Sequence, residues 1–287
     1  MKRLFLLFLI IISSISKAQY TLIPDIYFET KLIDLGFDTD GINGKVLTTS
    51  ISTITILSVS SSSISNLTGI ADFSALVELD CSSNNLISLN VSKNSVLEEL
   101  DCSSNKLSSL NLSKNTALIE LNCSSNYLTD LNVSKVIYLY GFDCSSNNLT
   151  SIDISKNTTL AMFYCYSNKL TSLDASDNIE LTKLDCSSNK LTSLDVSKCI
   201  ALTGLYCHSN KLTALDVSKN KELIKLDCSS NSIASLNVSK NIALTYLNCT
   251  ANIALKTIYV GNLNFTHANF KKDAQMKWSS GPSSKVE

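Results

Sequence analysis

The chain has 287 residues, 24 Lys and Arg against 25 Asp and Glu, and 44% hydrophobic residues, enough to build an apolar interior. Two prolines and eight glycines exclude a long flexible or low-complexity chain. Arg3 is the only arginine, and no basic patch supplies bidentate phosphate donors in its place, so nucleic acid is not expected as a partner.

The first element, residues 1–18, reads as a signal peptide. Lys2 and Arg3 form its positive start, and Leu4 to Ile12 its apolar stretch, too short to span a membrane. Ser16 and Ala18 place small residues before a cut at Gln19. No second run of about 20 apolar residues follows, so no membrane span is expected. The chain is expected to be secreted or on the cell surface, with the periplasm as the other destination.

Residues 19–56 have no repeat and are expected to form an N-terminal cap. Pro24 and Asp25 precede an amphipathic stretch from Tyr27 that ends at Gly36, which suits a short helix. Asp38, Asp40, Gly41 and Asn43 hint at a calcium loop. The set lacks the third spaced ligand and distal glutamate of such loops, which favours a plain turn.

Residues 57–260 carry a repeat. Cys81, Cys102, Cys123, Cys144, Cys165, Cys186, Cys207, Cys228 and Cys249 lie 21 residues apart, and an asparagine follows each by three, Asn84 through Asn252. One unit sets out Leu97, Leu100, Cys102, Asn105, Leu107, Leu110 and Leu112. Leu100 and Cys102 flank an outward Asp101, the period of a short strand with one buried face. Asn105 stands where the chain must turn, and its amide can pair backbone groups of neighbouring coils. The Ser113, Lys114 and Asn115 segment reads as a second, polar turn. Stacked at about 4.8 Å per coil, nine units make a rod on the order of 40 Å long.

This spacing resembles the secreted bacterial leucine-rich-repeat family, with 21-residue internalin-like repeats of the kind found in type IX-secreted proteins. The resemblance implies an α/β-type solenoid: a right-handed parallel β coil with short irregular or 3-10 convex segments and a small N-terminal helical cap. Residues 261–287 turn polar, hold the lone Trp278, and are expected to form a C-terminal cap and tail.

Ten cysteines in an exported chain ordinarily suggest disulfides. In one column of a parallel stack, however, Cβ atoms stand about 4.8 Å apart, wider than a disulfide prefers. A buried ladder of free thiols is expected, and a straight column does not wrap a tetrahedral metal. Cys199 replaces the asparagine of the Ser-Lys-Asn turn and is expected outside the ladder and partly exposed. It reads either as drift at a tolerant turn or as a reactive or intermolecular thiol.

Function is sought on the concave face, beside the buried Leu and Cys. The residue before each Cys is Asp or Asn except Tyr164 and Tyr206; the residue after is Ser except Tyr166, His208 and Thr250. Tyr140, Asp143, Met162, Tyr164, Tyr166, Asp185, Tyr206, His208 and Asp227 therefore form a candidate ligand patch of aromatic rings among acids. Such a patch suits an extracellular protein or a carbohydrate, and a monomer is expected. Random replacement in exposed columns is the competing explanation.

An enzyme is not expected. Only His208 and His267 could act as bases, and the serines belong to repeated columns without a nucleophile turn or oxyanion donors. No cofactor or metal is expected. A column of Lys93, Lys114, Lys135, Lys156, Lys198, Lys219 and Lys240 reads as a solvated edge that could hold an anionic polymer weakly. The leading reading is a secreted recognition or adhesion module. The alternative, from the column Ser108, Thr129, Thr150, Thr171, Thr192 and Thr213, is a structural or ice-facing solenoid without a specific ligand.

Overall fold

The computed structural model describes residues 19–261 and 269–280; the signal-peptide reading of residues 1–18 and His267 fall outside the described residues. The chain opens with β1 (Tyr20–Leu22), α1 (Ile26–Asp34), β2 (Lys45–Leu47) and α2 (Thr48–Ile51). The repeat then supplies β3 (Ile56–Ser58), β4 (Glu78–Asp80), β5 (Glu99–Asp101), β6 (Glu120–Asn122), β7 (Gly141–Asp143) and β8 (Met162–Tyr164). It continues with β9 (Lys183–Asp185), β10 (Gly204–Tyr206), β11 (Lys225–Asp227), β12 (Leu236–Asn237) and β13 (Tyr246–Asn248). Last come β14 (Thr257–Val260), β15 (Phe270–Lys271) and β16 (Lys277–Ser280).

Strands β3 to β11, with β13 and β15, form one 11-stranded parallel sheet; β12, β14 and β16 form a second. Register is fixed by the repeat: Leu100 pairs with Leu79 on one side and Leu121 on the other. A slip of one residue would turn every leucine outward. The expected solenoid is therefore the fold. Its convex returns are turns, and among the described residues the only 3-10 segment is Ile70–Asp72.

The interior is a set of columns. Leu79, Leu100, Leu121, Leu184, Leu205, Leu226 and Leu247 form one, all buried, each contributing about 1.5–3 kcal/mol. Phe142 and Phe163 replace leucine in two adjacent coils and stack, centroids 5.3 Å apart. All ten cysteines are free and buried, so the thiol ladder stands as expected.

Asn105 shows how a coil is closed. Its Nδ2 donates to the carbonyls of Cys81 (3.0 Å), Cys102 (3.1 Å) and Ser103 (3.0 Å), and its Oδ1 accepts from Leu86 N–H (3.0 Å). Two of these partners belong to the preceding coil. The residue before it, Ser104, has φ of 53°, and its counterparts Ser83 through Ser230 repeat that left-handed turn. The strain is offset in part because each such N–H bonds the next coil, as Ser104 N–H does to Ser124 O (2.9 Å).

Two expectations need correction. The asparagine of the Ser-Lys-Asn segment is not a surface turn residue. Asn115 is fully buried, and its Nδ2 bridges the carbonyls of Val91 and Asn94, both at 2.9 Å. Asn94, Asn157, Asn178, Asn220 and Asn241 repeat this arrangement as a second ladder. Cys199 occupies a rung of it and is fully buried rather than exposed, with its Sγ on Ala175 O at 3.5 Å. The backbone around the turn directs this side chain inward, whichever residue stands there. A thiol offers one weak donor where asparagine offers two. Cys199→Asn is expected to stabilise the chain by about 1 kcal/mol, read as a higher thermal midpoint. An unchanged or lower midpoint would mean that thiol packing outweighs the missing bond.

The N-terminal segment is tied to the stack by Asp25. Its Oδ1 caps α1 by accepting from Tyr27 and Phe28 N–H, and its Oδ2 accepts from Ser65 N–H, Ser65 Oγ and Asn66 N–H. Burial alone would raise this carboxyl's pKa, but the bonds from Ser65, Phe28 and Asn66 outweigh it and hold it below the usual range. Glu29 Oε1 accepts from the N–H groups of Asn43 (2.7 Å), Gly44 (2.6 Å) and Lys45 (3.2 Å), which closes the loop that resembled a calcium site. At the other end, parallel pairing runs past Val260, where the leucine pattern stops: β15 joins β13 and β16 joins β14. Met276, Phe270 and Trp278 supply apolar contact there, the two rings 6.0 Å apart.

Candidate binding face

Strands β4 to β11 and β13 each bury their middle residue and set the first and third on the opposite face. The third positions run Asp80, Asp101, Asn122, Asp143, Tyr164, Asp185, Tyr206, Asp227, Asn248. The first positions run Glu78, Glu99, Glu120, Gly141, Met162, Lys183, Gly204, Lys225, Tyr246.

The third-position acids have local work. Asp143 Oδ1 accepts from Ser145 N–H (2.9 Å), and the same bond links Asp185 to Ser187 (3.0 Å) and Asp227 to Ser229 (3.1 Å). It recurs at Asp80, Asp101, Asn122 and Asn248. Two coils lack it, where Tyr164 faces Tyr166 and Tyr206 faces His208. In both, the acceptor and the residue bearing the donor N–H are replaced together. His208 instead contacts Ser209 Oγ through Nδ1 at 3.2 Å.

Two hollows lie along the face. The first, about 340 Å³, is bordered by Glu78, Glu99, Glu120, Asp80, Asp101 and Asp143 and reaches Met162 and Tyr164. The second, about 320 Å³, is bordered by Tyr164, Tyr206, Lys183, Lys225, Thr203 and Ile224, with Gly204 and Leu184 beneath. Tyr164 borders both.

Electrostatics follow the crowding. Burial, with the charge of Glu99, raises the Glu120 carboxyl. Burial raises that of Asp143 despite the Ser145 bonds, and Asp101 and Asp185 add to it. The phenols of Tyr164 and Tyr206 are also raised, first by burial and then by the acids on either side. Both stay neutral donors at physiological pH.

The residues expected from sequence divide into groups. Tyr164 and Tyr206 meet in one hollow; Asp143, Met162 and Tyr164 meet in the other. Tyr140 is half exposed one residue before β7, and neither it, Tyr166 nor His208 borders a hollow. Asp185 holds Ser187 through both N–H and Oγ. Asp227 is buried and holds Ser229, Asn248 Nδ2 (2.9 Å) and Tyr246 OH (3.4 Å). The sequence reading missed Glu78, Glu99, Glu120, Lys183, Gly204 and Lys225. Strand alternation was the available signal, since these residues fill the outward column that contains Met162.

Among the described residues no helix is long and apolar enough to cross a membrane, and no group of His, Cys, Asp and Glu is arranged to hold a metal ion. No family model and no curated protein matches the chain. Solved structures do. The functional domain of InlJ from Listeria monocytogenes, which includes a cysteine ladder, is 34% identical, with a TM-score of 0.79 over 92% of this chain. The chain spans 62% of that domain. The internalin InlF of the same organism is 17% identical, with a TM-score of 0.59, covering 90% of this chain and 95% of its own. The plant peptide hormone receptor RGFR1, solved in complex with RGF2, is 24% identical, with a TM-score of 0.55 over 68% of this chain and 34% of its own. With its 21-residue coils, parallel sheet and cysteine ladder, this chain has the leucine-rich-repeat solenoid fold of the internalins.

Proposed function

We propose that this chain is an exported, non-enzymatic recognition module that binds a protein or glycan partner on the concave face, centred on Tyr164 and Tyr206. The observation that carries this reading is the paired loss of the local Asp–Ser bond in two coils. Tyr164 and Tyr206 each remove the acceptor while the backbone N–H two residues on remains, so in two coils with one between them about 1 kcal/mol of local bonding per coil is exchanged for aromatic area. The rings of Tyr164 and Tyr206 line one hollow. Tyrosine combines apolar surface with a donor tip at low entropic cost, the property expected of a contact residue. A fold shared with the plant peptide hormone receptor RGFR1 supports a protein partner.

The test restores the repeat. A variant carrying Tyr164→Asp, Tyr166→Ser, Tyr206→Asp and His208→Ser regains both local bonds. It is expected to keep or raise the thermal midpoint while losing the capture that the parent chain shows on an array of extracellular proteins and glycans. Equal capture by parent and variant would sink the reading. The ice-facing alternative rests on one threonine rank, Ser108, Thr129, Thr150, Thr171, Thr192 and Thr213, and thermal hysteresis in solution would favour it.

A further inference from the structure

Gly204 has no structural reason to be glycine. Its φ is not in the left-handed region, and an added Cβ would sit at 3.5 Å from the Tyr206 ring and 3.9 Å from the Lys183 side chain, ordinary contact distances. Glycine in a strand costs about 0.5–1 kcal/mol relative to alanine. Gly141 is different: a Cβ there would collide with the Glu120 carboxylate, which lies across it. The Gly141 notch is filled by its own neighbour, whereas the Gly204 notch opens into the second hollow.

The residues paired with Gly204 are lysines on both sides, Lys183 on β9 and Lys225 on β11. Both are exposed, and each stands about 4.8 Å from the glycine along the stack. The nearest acids, Asp185 and Asp227, lie two residues further along their strands and are held by Ser187 and Ser229. The notch thus lies between two lysines, in a hollow that Tyr164 and Tyr206 also line. Toward the N-terminal end the same column changes sign: Glu78, Glu99 and Glu120 pair in register above the first hollow.

We infer that the partner is an extended polypeptide, anchored by an acidic side chain in the Gly204 notch between Lys183 and Lys225, with basic residues over Glu99 and Glu120. This rests on the concave-face reading above and names its ligand class. From β10 to β6 is four coils, about 19 Å; an extended chain covers this in about six residues. Anchor and basic residues are therefore about six positions apart. The apolar walls exclude water around the anchor and strengthen its attraction to both ammoniums. One polypeptide is asked to satisfy both poles, which a uniformly acidic or basic ligand cannot do.

The test uses the full chain and fluorescent synthetic 12-residue peptides. One set places Glu six positions from a Lys-Lys pair, in both chain orders. A second has the same composition with the charges two positions apart, and a third replaces Glu by Lys. The six-spaced Glu peptide, in one order, is expected to bind at least tenfold tighter than the other two sets. Lys183→Glu with Lys225→Glu should remove that advantage and reverse it toward the Lys-anchored peptide. Gly204→Val should abolish the preference while keeping or raising the thermal midpoint, because it fills the notch with a good strand former. Equal affinity across spacings, or a Glu preference that survives the lysine reversal, would overturn the inference. So would a fall in midpoint for Gly204→Val, which would make the glycine structural. Tyrosine-dependent capture on the array without any peptide preference would leave the concave-face reading standing and reject this one alone.

Discussion

Asn147→Ala is expected to destabilise the chain by about 3–5 kcal/mol, a large share of the roughly 5–15 kcal/mol that holds a domain together. Asn147 donates to the carbonyls of Cys123 (3.0 Å), Cys144 (3.1 Å) and Ser145 (3.1 Å) and accepts from Leu128 N–H (3.0 Å). Alanine would leave that buried N–H without a partner, and water cannot reach the site easily, since Asn147 is 8% exposed. Because two of the bonds cross to the preceding coil, the loss falls on the interface between coils, which is where a solenoid's cooperativity resides. Asn115→Ala should cost less, because Asn115 holds two carbonyls and its Oδ1 has no partner among the described residues. Asn148→Ala, next in sequence but outside the ladder, should stay within about 0.5 kcal/mol. Chemical denaturation of the three variants checks the order. A loss below about 1 kcal/mol for Asn147→Ala would show that the ladder does not hold the coils together.

The contrast between the two asparagine ladders also explains how much of the fold was legible in the sequence. Leu100, Cys102 and Asn105 each meet a need that recurs in every coil, so their period declares the fold without any structure. Asn115 meets such a need too, yet it sits beside Ser113 and Lys114 and looks locally like a polar turn. Its burial comes from the neighbouring coil, which the sequence of one unit does not display. Cys199 was misplaced for the same reason. On the concave face, Tyr164 and Tyr206 were legible because they break a column of acids. Gly204, Lys183 and Lys225 were not, because their column of Glu, Gly, Met, Lys and Tyr has no consensus to break. Their significance comes from register, which places both lysines opposite one glycine. Asp227 shows the same dependence on neighbours: its oxygens hold Ser229, Asn248 and Tyr246, and two of these lie on the next coil.

The second large effect concerns the thiols. At pH 8 the native chain is expected to leave all ten cysteines unreacted with a disulfide reagent over a period in which the denatured chain reacts at every one. Burial pushes the Cys199 thiol from 9.0 up to about 11, helped by Asp195, and pushes Cys249 up to about 12, helped by Asp273. Burial raises the central rungs, Cys144 and Cys165 among them, further still. A thiol at about 11 rather than 9.0 carries about 100-fold less thiolate, before any steric exclusion is counted. Reaction then requires local opening, which is easier at the end of a stack than within it. Cys249, under the two-residue strand β15, and Cys199, outside the column, should label first, and Cys144 and Cys165 last. Mass spectrometry of timed samples gives the order; Cys144 labelling as fast as Cys199 would refute it. The sign of the pH effect follows. A folded pKa above the unfolded one contributes stability that is complete below 9.0 and lost as pH rises through about 11 and 12. With ten thiols shifted the same way, unfolding should become steep on the alkaline side, and replacing rungs of the column with Val or Ala should move that transition upward. On that result the column that specifies the coil also holds its sulfur as buried, protonated thiol.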